Sequence, residues 1–162
     1  MGKRGYFFTL DAFVAVGIIV IGLVLILTSN YYSPVTVQPI ALSNDLMLTL
    51  SSTKITESNN DYVRNLSING SITNRDNSLL QQAGEFYLNN QKSMSTSFVK
   101  NVTFNLVPPQ YSFNVSINKT TIYNRGSMAR SSRLVVSTKS IVFGVYNNTL
   151  WGPYPAEVAI WQ

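Results

Sequence analysis

Residues 3–27 read Lys-Arg-Gly-Tyr-Phe-Phe-Thr-Leu-Asp-Ala-Phe-Val-Ala-Val-Gly-Ile-Ile-Val-Ile-Gly-Leu-Val-Leu-Ile-Leu: two cations, a glycine, then an apolar run from Tyr6 to Leu27 whose only formal charge is Asp11. A helix over that run would rise about 33 Å at ~1.5 Å per residue, enough for the ~30 Å hydrocarbon core of a bilayer. The stretch therefore predicts a transmembrane or stalk helix over residues 6–30. Lys3 and Arg4 lie beside it, where the bias toward cytoplasmic cations acts. They predict a single-pass cell-membrane protein with its N-terminus inside and everything after Leu27 extracellular. A conventional secretory signal fits poorly, because its apolar region is ~7 to 15 residues and ends at a small-residue cut site.

Within this run Asp11 needs a reason. A carboxylate at the centre of a spanning helix costs roughly 2.5 to 3.5 kcal/mol on insertion scales. Steps of four, three and four place Asp11, Ala15, Ile18 and Gly22 on one helix face. The small residues there would let a second helix approach closely, so this face is the expected assembly surface.

Outside the run, composition narrows the function. The chain of 162 residues has room for one ordinary domain after residue 30. It contains neither Cys nor His, which removes disulfides, thiol chemistry and the usual nucleophile–base pairs. Its seven acids, Asp11, Asp45, Glu57, Asp61, Asp76, Glu85 and Glu157, form no close pair in sequence. No metal site, cofactor or catalytic residue is expected, and the chain reads as a non-enzyme. The net charge of +5 comes from dispersed cations, the densest group being Arg125, Arg130 and Arg133. Such scatter does not make a nucleic-acid stripe.

The rest of the chain reads as α+β, an antiparallel β-sheet head with one or two packed helices. Tyr31 and Tyr32 suit an interfacial aromatic belt, and Pro34 and Pro39 should stop or kink the first helix between Asn30 and Pro39. Leu42, Leu46 and Leu50 recur every fourth residue and predict a short amphipathic helix. Val63, Leu66, Ile68 and Ile72 around Asn69-Gly70 suggest a strand pair. Asp76 and Asn77 can cap a helix from Ser78 to Phe98, in which Gly84 costs up to ~1 kcal/mol against Ala.

From Val102 the period becomes two. Val102, Phe104 and Leu106, then Tyr111, Phe113, Val115 and Ile117, predict strands joined by a Pro108-Pro109 turn. Further strands are expected at Ile122-Tyr123, 134–137, 141–146, 150–151 and 156–161, with a tight turn at Asn147-Asn148 and a bend at 152–155. Asn65, Asn69, Asn101, Asn114, Asn118 and Asn147 each begin an Asn-x-Ser/Thr sequon, the acceptor pattern for N-glycosylation. Asn114 and Asn118 fall on the polar face of a predicted strand.

Lys3-Arg4-Gly5, the aromatics after it, Asp11 and the unbroken apolar helix together resemble the class III signal of type IV pilins and related archaeal surface filaments. The resemblance implies that a leader peptidase cuts after Gly5, leaving Tyr6 as the first mature residue. It divides the chain into a basic leader (1–5), an assembly helix (6–30) and an extracellular head (31–162). Asp11 would be sixth in the mature chain, where the bacterial pattern has its acid fifth. The terminal residues 156–161 also look like the end of some archaeal pilin-like proteins. The implied function is a structural filament subunit whose partners are copies of itself or related subunits, with the freed Tyr6 amine as a partner for Asp11. The alternative is a single-pass surface protein that keeps its leader and binds a surface glycan, an S-layer or a partner cell.

Overall fold

A computed structural model describes residues 3–31, 37–127 and 134–162, and resolves two compact units, 1–35 and 36–162. The expectations for Tyr32, Pro34, Arg130 and Arg133 lie outside the described residues.

The first unit is one helix, α1 (Lys3–Tyr31). No residue inside it interrupts the backbone ladder, since Pro is absent until position 34. The expectation of a transmembrane helix is corrected: among the described residues no helix is long and apolar enough to cross a membrane.

The second unit is α+β. Helices α2 (Val37–Ser52), α3 (Asp61–Ile68), α4 (Leu79–Leu88) and α5 (Lys92–Thr103), with a 3-10 turn at Ile55–Glu57, precede strands β1 (Ser112–Ile117), β2 (Thr120–Arg125), β3 (Val135–Tyr146) and β4 (Thr149–Trp161). The strands form one antiparallel sheet in the order β2-β1-β4-β3. Two hairpins supply it. Each turns on two residues with positive φ, Asn118-Lys119 and Asn147-Asn148, the backbone that a two-residue turn needs to match strand twist.

Alternation sets the core. Phe113, Val115 and Ile117 of β1 and Ala156, Val158 and Ile160 of β4 are fully buried on one sheet face. Leu46 and Leu50 of α2, Leu80, Ala83 and Phe86 of α4, and Phe98, Val99 and Val102 of α5 complete the same cluster. Hydrogen bonds tie the layers together: Ser43 of α2 to Thr138 of β3 (2.6 Å), Thr96 of α5 to the Ile122 carbonyl (2.7 Å), and Ser95 of α5 to the Ala83 carbonyl (2.8 Å).

The head departs from expectation in its helices and strand boundaries. It holds four α-helices among its described residues, not one or two. The expected strand pair at Asn69-Gly70 is helix α3, because the Asn60 side chain accepts from the N–H groups of Tyr62 and Val63 and starts a helix there. The expected single helix from Ser78 is two, broken where Asn90 takes φ 58°. The expected strand at Val102 is the last turn of α5, with Phe104 left exposed. The strands expected at 134–137 and 141–146 are one strand, β3, beginning at Val135, and 150–161 belong to another, β4, which runs through the cis Gly152–Pro153 bond.

Candidate assembly surface and head sites

The expected leader residues Lys3, Arg4, Gly5 and Tyr6 all belong to the first turns of α1, and their side chains lie outside the described residues. Along the described part, Asp11 and Ala15 are exposed, and Phe13, Ile18, Val20 and Leu23 each expose more than half their surface. At Gly22 a Cβ would meet no atom within 4 Å. The face predicted from spacing is thus an open one, with Asp11 and Ile18 flanking the small Ala15 and Gly22. On the opposite side Ala12, Phe13, Val16, Gly17, Val20 and Ile21 line a shallow apolar groove. A helix that is apolar all round is one that folding or association must cover.

The sequons divide by environment. Asn65, Asn69, Asn101, Asn118 and Asn147 are exposed, the last two at the tips of the hairpins. Asn114 is half-buried in the middle of the sheet, opposite Asn124 and Ala159, and its Oδ1 is enclosed without a hydrogen-bond partner.

One polar cluster in the head was not anticipated. Ser78 caps α4 by accepting from the Gln81 N–H, while the Gln81 side chain accepts from the Ser78 N–H, a reciprocal capping box. This cap leaves Asn77 free to turn inward, where its Nδ2 donates to Glu85 Oε2 (2.9 Å) and Gln82 Oε1 (3.2 Å). Gln82 and Glu85 are both buried. Burial pushes the Glu85 carboxyl above its ordinary value, against the hydrogen bonds from Gln82 and Asn77, which lower it. The sequence did carry a sign of this: Gln82 and Glu85 are polar residues flanking the apolar positions Leu79, Ala83 and Phe86. Among the described residues no group of His, Cys, Asp or Glu could hold a metal ion.

No family model, curated protein or solved structure matches the chain.

Proposed function

We propose that the protein is a structural, non-enzymatic subunit of a type IV pilus-like surface filament, in which α1 helices of many copies bundle and the α+β heads face outward. The observation that carries this reading is α1 itself: a compact unit of its own whose described side chains after Asp11 are apolar and, around the whole circumference, largely exposed. Bundling removes that surface from water at roughly 25 cal/mol per Å². The absence of His and Cys supports a role without catalysis. Lys3-Arg4-Gly5 would form the leader that a peptidase removes before assembly, and the exposed sequons would lie on the filament's outside.

Intact-mass analysis of assembled material tests the proposal. A subunit beginning at Tyr6 is the expected result. A chain in the assembly that still begins at Met1 or Gly2 would overturn the processing step and favour a surface protein that keeps its leader.

A further inference from the structure

We propose that a cleft between the C-terminal turn of α4 and the tip of the β3–β4 hairpin binds an alkylammonium group. The cleft is lined by Glu85, Leu88, Asn89, Tyr146, Thr149 and Trp151 and encloses about 130 Å³. At ~30 Å³ per water that is room for about four waters, or for an ammonium and the last carbons of the chain that carries it.

Its electrostatics select a cation. Glu85 is the only formally charged residue in the lining, and it is only 3 % exposed. The ion pairs of the head join Lys54 to Asp76, Arg64 to Asp61 and Lys139 to Glu157, so among the described residues none compensates Glu85. Its hydrogen bonds come from neutral amides, Asn77 and Gln82, and a carboxylate can accept more bonds than these two supply. Asn89 is the C-cap of α4, so the negative end of that helix dipole faces the same space.

The walls are aromatic. Trp151 stacks on Tyr154 at 6.4 Å between centroids and 18° between planes. Its Nε1 is fully enclosed without a partner, and the ring lies between Gly144 and Tyr154, so the indole offers the cleft carbon surface and no donor. Apolar walls beside a carboxylate lower the local dielectric and strengthen its attraction for a cation. An anion would be repelled by Glu85 and the helix end, and a neutral apolar ligand would leave the carboxylate uncompensated in a drier site. The ammonium can belong to a free small amine or to a lysine side chain of another copy.

The test uses the full chain and n-butylammonium chloride, followed by tryptophan fluorescence, with n-butanol as the neutral control. Saturable binding is expected, at least ~10-fold tighter than n-butanol, which corresponds to about 1.4 kcal/mol. Glu85→Gln should weaken it by a similar factor. Thr149→Lys, a change at an exposed rim position, should block binding by bringing its own ammonium to the carboxylate, and it serves if Glu85→Gln folds poorly. Carbodiimide coupling of assembled material then separates the sources. A Glu85–lysine amide between copies assigns the lysine, and butylammonium binding without that product assigns a free amine. Equal binding of n-butanol, or undiminished binding by both variants, would overturn the proposal.

Discussion

The indole of Trp151 on β4 lies over Gly144, its cross-strand partner on β3, so closely that a Cβ at 144 would sit 2.6 Å from Trp151 Cζ2. The far edge of the ring meets Gly84 of α4, where a Cβ would lie 2.8 Å from Cη2. Two glycines on different elements thus make the slot that lets the hairpin dock on the helix. Gly84, a cost to α4 taken alone, is what admits the ring. Gly144→Ala should destabilise the head by about 1 to 3 kcal/mol, the usual range for overpacking a filled site, and Gly84→Ala by a similar amount. Urea unfolding followed by tryptophan fluorescence checks both; unchanged midpoints would mean that the indole moves aside freely.

Arg125 holds the loop before β1. Its Nη2 donates to the carbonyls of Val107 (2.9 Å), Pro108 (2.7 Å) and Tyr111 (2.8 Å), and its guanidinium lies 4.8 Å from the Phe113 ring centroid. Arg125→Ala should cost about 2 to 3 kcal/mol in chemical denaturation, in line with bonds from a charged donor. Lysine at this position should recover only part, because it lacks the planar fork.

Glu85 makes stability depend on pH in a defined direction. Burial raises its folded-state carboxyl above the ordinary glutamate value, so the folded state holds the proton more tightly than the unfolded chain. Glu85 therefore opposes folding progressively as pH rises above about 4.5, and acid relieves that cost. Glu85→Gln should raise the melting temperature more at pH 7 than at pH 4. An equal effect at both pH values would contradict the raised carboxyl.

Much of the sheet was legible because side-chain period and turn chemistry agree there. Phe113, Val115 and Ile117 alternate into the core, and Asn147-Asn148 adopts the positive φ that the hairpin demands. The helical layer was harder. Asn69-Gly70 reads as a hairpin turn, yet the Asn60 cap had already committed residues 61–68 to a helix. Val102, Phe104 and Leu106 alternate like a strand, but Phe98, Val99 and Val102 bury a helical face, and Phe104 is left 69 % exposed. Arg125 read as one more surface cation, because its three carbonyl acceptors come from a loop 14 to 18 residues earlier. The Glu85 cleft depends on joining α4 to a hairpin tip about 60 residues later, a pairing that no local pattern carries.

For Asp11 the expected effect is on assembly. An uncompensated carboxylate within a bundle of apolar helices is costly, so pairing with a neighbour's Tyr6 amine would set axial register more than affinity. Asp11→Ala should leave leader removal and head stability unchanged and reduce filament yield, counted by electron microscopy. Normal yield would make Asp11 a tolerated charge with no part in register.

The claim that copies approach most closely on the Asp11–Gly22 face of α1 has a direct test, since the chain contains no cysteine of its own. Ala15→Cys places a single thiol on the Asp11–Gly22 face, and Phe13→Cys places one on the opposite side, in the groove beside Gly17. Under mild oxidation of assembled material, the account predicts disulfide-linked dimers with Ala15→Cys at several times the yield of Phe13→Cys. Dimers formed mainly by Phe13→Cys, or by neither variant, would contradict it.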